Sequence, residues 1–530
     1  MEDTATAPLL PPYTTAAAAT ATATVRSIDD AIETYIGSTS AAAQLLPATL
    51  VGLAWAFDAQ QTFINVFADA MPPWHCTSPS CFSAGDSASP CGQAPSSWNW
   101  SLPRHTSTIS SWSLECASPA LLALPSSSFF AGCLAGGILL ATLADSRLGR
   151  KNTLVLSSLA MSLSAALTAA SPSLVAYAAL RFVCGFSRAT VGTSALVLST
   201  ELVSRRWRDR VSIIGFFCFT MGFLSLPAIA YASRAASWRT LYLWTAVPAL
   251  VYTAVIYFVI KESPRWLLVR GRKSEAIETI KTMTCGSRTS INSSFSDLAL
   301  LKYESSYAAE EAGISSSDNI FSSAKRLWEN RWAFRRLAAL MTVSLGVGMV
   351  YYGMPLNLGN LSSNLYLSVA LNALTELPSS LLVFFLVGRM NRRSSTLAFT
   401  AASCVFSLAC AAMGGGGGWA EMAAELAAFF AACTSFSFVL IYSMELFPTC
   451  VRNSAIAMVR QALVVGGMVA PVLVAAGRRR RVVSFGVFGL AIGCFGVFAA
   501  CLPETRGRRM SDTMEEEESK EVEAKRNLVP

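Results

Sequence analysis

Along the chain, long stretches nearly free of charge alternate with short stretches dense in it. Twelve apolar runs lie at 44–67, 121–144, 152–171, 173–203, 211–233, 238–260, 337–357, 364–387, 395–413, 420–446, 453–476 and 482–502. Each matches the roughly 20 residues an α-helix needs to cross the hydrocarbon layer of a bilayer. Backbone groups in lipid must bond within their own segment, so each run predicts a helix, and the weaker alternating pattern of barrel strands does not fit. Six runs precede a polar gap and six follow it. The pattern predicts an all-α membrane protein with two six-helix halves, 44–260 and 337–502, joined by a central cytoplasmic loop, 261–336.

Composition agrees: 53% of the 530 residues are hydrophobic and 14% charged, against about 25% charged in soluble domains. The net charge of +8 would suit nucleic acid, but in a membrane protein the placement of Lys and Arg carries more meaning than their sum. With both termini cytoplasmic, the even-numbered connections hold Arg147, Arg150 and Lys151, then Arg205, Arg206, Arg208 and Arg210, then Arg389, Arg392 and Arg393, and finally Arg506, Arg508 and Arg509. One block disagrees. Arg478 to Arg481 fall on the opposite side, between runs eleven and twelve, and read either as a solvated turn or as an attractor for anionic solutes or lipid headgroups.

Residues 1–43 read as a disordered cytoplasmic tail rather than a signal peptide, rich in Ala, Thr and Pro, with Leu9 and Leu10 as a loose dileucine. Residues 71–118 form a long loop holding Cys76, Cys81, Cys91 and Cys116 and the glycosylation sequon at Asn99. Those features belong in an oxidising, extracytoplasmic space, and the four cysteines allow three pairings. Asn360 with Ser362 is a second sequon, close to the membrane. Gly414 to Gly418 form a flexible turn, and Glu515 to Glu518 open a charged, solvated cytoplasmic tail within 503–530.

After run two comes Asp145-Ser146-Arg147-Leu148-Gly149-Arg150-Lys151, and after run eight Gly388-Arg389-Met390-Asn391-Arg392-Arg393. Both resemble the Asp-Arg-x-Gly-Arg-Arg loop of the major facilitator superfamily, in which a carboxylate and arginines form a latch. The first copy has one extra residue before Gly149, and the second has Gly388 and Asn391 where the family has Asp and Gly. Simple positive-inside anchoring explains those arginines too. Further segments resemble the sugar and organic-ion porters: Arg181 to Gly185 leading to Glu201 and Arg208, Glu262 to Leu267 with Arg265, Glu445 to Thr449 with Arg452, and Pro503-Glu504-Thr505-Arg506-Gly507. The cysteine-bearing loop closed by Trp112 to Cys116, with Phe57 to Phe63 and Pro73 to Cys76, is similar to the plant organic cation/carnitine transporters. The resemblance implies a twelve-helix major facilitator fold.

It also implies roles. A charge within a membrane helix costs several kcal/mol unless paired or hydrated, and Asp58 and Arg181 match an aspartate and an arginine that face each other in proton-coupled sugar porters. They are the expected proton-coupling pair, or a static ion pair between two helices. Tyr351 and Phe219 match substrate-facing aromatics, whose ring faces attract organic cations. Tyr352, Phe216, Trp55, Gln61, Tyr442 and Gln461 are weaker candidates by helix position. Animal relatives carry an ionised residue where this chain has Val464, so Arg460, one turn earlier, and Glu376 become the candidates for binding a zwitterion or polyamine.

The chain lacks a Walker loop, holds two His and shows no Cys/His metal spacing, which argues against an enzyme, a bound nucleotide, a cofactor or a metal. The reading is a secondary transporter of small organic cations or zwitterions (carnitine, choline or polyamine class), proton-coupled and working by alternating access, in a plasma or vacuolar membrane. The alternatives are a facilitative uniporter of another organic ion or sugar, and a solute sensor that keeps the fold without transporting.

Overall fold

A computed structural model describes residues 40–78, 81, 90–94, 96–140, 148–270, 272–284, 320–361, 364–386, 388–413, 418–478, 481–507 and 511–526. Leu9, Leu10, Asp145 to Arg147, Ser362, Gly414 to Gly417, Arg479, Arg480, Arg508 and Arg509 lie outside the described residues.

Twelve long helices carry the fold: α1 Ala41–Ala68, α2 Pro119–Leu139, α3 Arg150–Thr168, α4 Leu174–Glu201, α5 Arg205–Ala232, α6 Trp238–Val259, α7 Arg331–Asn357, α8 Leu365–Leu386, α9 Arg392–Ala412, α10 Trp419–Leu446, α11 Thr449–Gly477 and α12 Val482–Cys501. Their starts are chemically marked. Ser40, Ser118, Ser173 and Ser237 each accept a backbone N–H at the head of α1, α2, α4 and α6, satisfying donors that the first turn leaves open. Among the described residues eleven helices are long and apolar enough to cross a membrane. The one that falls short is α3, diluted by Lys151, Asn152 and a series of hydroxyls. Ser157, Ser162 and Thr168 each donate to the carbonyl four residues back at 2.7 Å, so the helix meets its polar demand internally.

α1–α6 and α7–α12 meet along two seams, α2 against α11 and α5 against α8. Within the first half α2 and α4 lie backbone to backbone: a Cβ on Gly132 would strike the Phe182 carbonyl, and one on Gly185 the Phe129 carbonyl. Small residues at such crossings let dispersion act at close range where lipid supplies no hydrophobic drive.

The 71–118 loop is an anchored cap. β1 (Trp74–Cys76) pairs antiparallel with β2 (Trp98–Trp100) in the register Trp74 to Trp100. Of the three possible pairings the structure has Cys76–Cys81 and Cys91–Cys116. Asn99 is exposed on β2. Thr108 donates to Asp69 at 2.8 Å and Trp238 to Ser111 at 3.2 Å, while the Trp112 ring packs at steep angles against Tyr177 and Trp238. The cap therefore sits on the ends of α1, α4 and α6.

The acidic tail departs from expectation at one residue. Glu515, Glu516 and Glu518 are exposed, but α13 (Met514–Arg526) docks on the bundle, with Met514 in the core. Glu517 accepts from Arg336 of α7 at 2.7 Å and from Ser511 at 2.6 Å, and the Thr449 N–H donates to the Ser511 carbonyl at 3.1 Å. The reason is amphipathicity that a run of four glutamates conceals: only one of the four faces α7. Glu517→Ala removes the ion pair with Arg336, and limited trypsinolysis of the detergent-solubilised protein is expected to cleave within 514–526 several-fold faster than in wild type.

Candidate functional site

α1 and α4 run antiparallel, and their register decides who meets whom. Asn65 and Asp69 face Tyr177, Gln61 faces Arg181, and Asp58, further along, faces Arg188. The expected Asp58–Arg181 pair is not formed. Asp58 instead accepts from Arg188 through both carboxylate oxygens, with Nη2 to Oδ2 at 3.2 Å. Arg181, fully buried, donates to the Gln61 carbonyl at 2.8 Å and lies 4.3 Å from the centre of the Phe129 ring. Arg188 follows Arg181 by seven residues, two turns on the same helical face, inside the same apolar run. That second cation was the available signal in the sequence, and the reading passed over it.

Arg460 of α11 lies within electrostatic reach of Asp58, Arg188 and Tyr352, which extends the cluster across the seam. Arg460 has no hydrogen-bond or ion-pair partner among the described residues. Beside it, Gln461 packs against Gly137 of α2, its Oε1 buried without a donor. On the other side of Tyr352, whose ring centre is 5.0 Å from that of Tyr351, the Tyr351 hydroxyl donates to Glu376 of α8 at 2.6 Å. Thr220 of α5 donates to the other oxygen of Glu376 at 3.2 Å, joining the halves at the second seam. Glu376 is thus a buried carboxylate held by two hydroxyls, with no cation bonded to it among the described residues.

Phe219 sits in an aromatic group with Trp55 and Phe63. Phe216, 52% exposed, joins that group through Trp55, with ring centres 6.3 Å apart. Two of the weaker candidates are already occupied. The Tyr442 hydroxyl donates to the Pro503 carbonyl and so ties α10 to the segment after α12. The Gln61 amide is held between Arg181 and Thr245. Val464 packs on the core. Sequence reading also missed Glu425, a fully buried carboxylate of α10 that accepts from Asn372 of α8 at 2.9 Å.

The end opposite the cap carries two clusters built to one plan. Glu262 accepts the backbone N–H groups of Arg150 at 3.1 Å and Lys151 at 3.0 Å, at the head of α3, and the Arg150 side chain approaches Glu201 at 3.6 Å. In the second half Glu504 accepts the N–H groups of Arg392 at 2.7 Å and Arg393 at 3.2 Å, at the head of α9. The Arg392 fork grips Glu445 at 2.8 and 3.0 Å. A carboxylate at a helix N-terminus meets open donors and the positive end of the dipole. Gly149 takes φ +86° and a Cβ there would meet the Glu262 carboxylate. Its counterpart Asn391 has φ −72°, so the second copy does without glycine. Arg452 donates to the Phe447 carbonyl rather than to a carboxylate, and Arg389 is exposed beyond α8. Arg208 lies in the first turn of α5, and Arg265 in the first turn of the helix Pro264–Val269.

Removing one partner of a buried ion pair costs about 3–5 kcal/mol, because the other charge stays buried. Arg188→Gln alone is expected to lower the thermal midpoint of the purified protein sharply. Asp58→Asn with Arg188→Gln is expected to recover most of it, and Asp58→Asn with Arg181→Gln is not.

Residues 88–516 match the Sugar (and other) transporter family. Organic cation/carnitine transporter 2 of Arabidopsis thaliana is 50% identical over 510 residues, covering 94% of this chain and 95% of its own. Organic anion transporter 3 of Sus scrofa is 28% identical, covering 91% of this chain and 92% of its own. The inward open structure of the xylose transporter XylE from E. coli aligns with a TM-score of 0.61 at 15% identity, over 87% of this chain and 96% of that one, a likeness of fold. The protein is a multi-pass membrane transporter and not an enzyme, and the chain belongs to the plant organic cation/carnitine transporters of the major facilitator superfamily.

Proposed function

We propose that this chain moves small organic zwitterions or cations, of the carnitine, choline or polyamine class, by proton-coupled alternating access. One observation carries the reading of the solute: Arg460, with no bonded partner among the described residues, and Glu376, bonded to hydroxyls alone, flank the Tyr351–Tyr352 pair. A solute with both charges can address both groups, and its ammonium gains further from the ring faces. A cation alone uses Glu376 and the rings. The printed names of the Arabidopsis relatives support the same class.

Coupling is assigned to Asp58 with Arg188, where Arg181 was first expected. A proton on Asp58 releases Arg188, and the freed guanidinium biases the α1–α4–α11 contact toward the other arrangement of the halves. The end clusters of Glu262 with Arg150 and Glu504 with Arg392 loosen as the halves rock. Both termini and the central loop are placed in the cytoplasm, supported by the basic residues at that end and by the disulfides and exposed Asn99 at the other.

The test is uptake of labelled carnitine, choline and spermidine into proteoliposomes, with and without an acid exterior. Uphill accumulation is expected only with the acid exterior. Asp58→Asn is expected to retain exchange while losing accumulation, and Glu376→Gln to raise the KM for choline about tenfold, equivalent to about 1.4 kcal/mol. Equilibration with no uphill movement would establish a uniporter, and no saturable uptake of any of the three would favour the sensor.

A further inference from the structure

At the capped end, a cavity of about 190 Å³ lies on the seam between the halves. It is walled by the ends of α1, α7 and α11 and the first turns of α2. None of Asp58, Arg188, Tyr351, Tyr352, Glu376 or Arg460 lines it, so it is separate from the central groups. The volume is below the ~300–1,000 Å³ of pockets for drug-sized ligands, which limits any occupant to a small solute.

One polar side chain in the wall is incompletely used. Arg478, at the end of α11, donates Nη2 to the Asp69 backbone carbonyl at 2.9 Å, and its other N–H groups have no partner among the described residues. The Asp69 carboxylate does not take them, since Asn65, Thr108 and Tyr177 already donate to it. Guanidinium donors call for an oxyanion, which they bind with charge assistance. Met71, Leu122 and Leu356 complete an apolar wall suited to methyl groups.

We propose that this cavity is an entry site for carboxylate-bearing zwitterions, distinct from the central site. Arg478 takes the carboxylate, and the apolar wall receives a methylated ammonium. The proposal rests on the transport reading above and adds where the solute is first recognised and by which of its groups. It also gives a use to Arg478, the first of the four arginines that stood against the charge pattern. A carboxylate there competes for the guanidinium that now tethers α11 to α1, so arrival of solute loosens the same seam it must pass.

The experiment compares L-carnitine with choline, which shares the hydroxyl and the trimethylammonium but has no carboxylate, in proteoliposomes of the full chain. Arg478→Gln is expected to raise the KM for carnitine about tenfold and to change that for choline less than twofold. Equal KM shifts for carnitine and choline in Arg478→Gln would reduce Arg478 to a tether and overturn the proposal. Should wild type take up neither solute, the transport reading falls, and thermal midpoints still test the cavity. A carnitine-dependent rise present in wild type and lost in Arg478→Gln supports it, and no rise in wild type overturns it.

Discussion

Charges taken out of water must be answered locally, and the centre of this protein is organised around one such answer, the Asp58–Arg188 pair. It fastens α1 to α4 through groups that neither helix could carry alone into lipid. Because Arg188 is consumed there, Arg181 is left to cap the Gln61 carbonyl and lie on Phe129, and Arg460 is left as the surplus cation on the facing half. The positive excess on the α1–α4–α11 side follows from that single assignment, and the carboxylate of Glu376 stands opposite it on the α5–α8 side. A dipolar interior results, with two tyrosines between its ends.

The seams serve this arrangement. α2 meets α11 and α5 meets α8 with side chains that are mostly small or aromatic, and few polar contacts cross. Thr220 to Glu376 is one, and Ser127 to the Met468 carbonyl is another. Within the halves, by contrast, backbones touch at Gly132 and Gly185. The interior of each half is built to stay, and the surface between halves to part.

Sequence patterning made the twelve helices legible because length, charge exclusion and capping serine all act locally. Even α3, with its many hydroxyls, stands out by length and position. The Glu262 and Glu504 motifs were legible as motifs, while their partners were not: each carboxylate bonds to main-chain N–H groups, which no side-chain pattern encodes. The Asp58 partner was misread because helix register is set by packing over the whole of α1 and α4, and two arginines two turns apart present the same face. Glu425 and Thr220 were passed over for the same reason, since burial among neighbouring helices, and not residue type, gives them their surroundings. Tyr442 had the right position along α10 and the wrong neighbours.

The two end clusters share a property that bears on how this chain tolerates change. Glu262 and Glu504 hold α3 and α9 by their amides, so the second contacted residue of each pair, Lys151 or Arg393, is recognised without regard to its side chain. What is fixed there is the availability of an N–H, a feature nineteen of the twenty amino acids supply. The hydrogen bond at these positions therefore survives exchange of the side chain, whereas it does not survive loss of the glutamates opposite them.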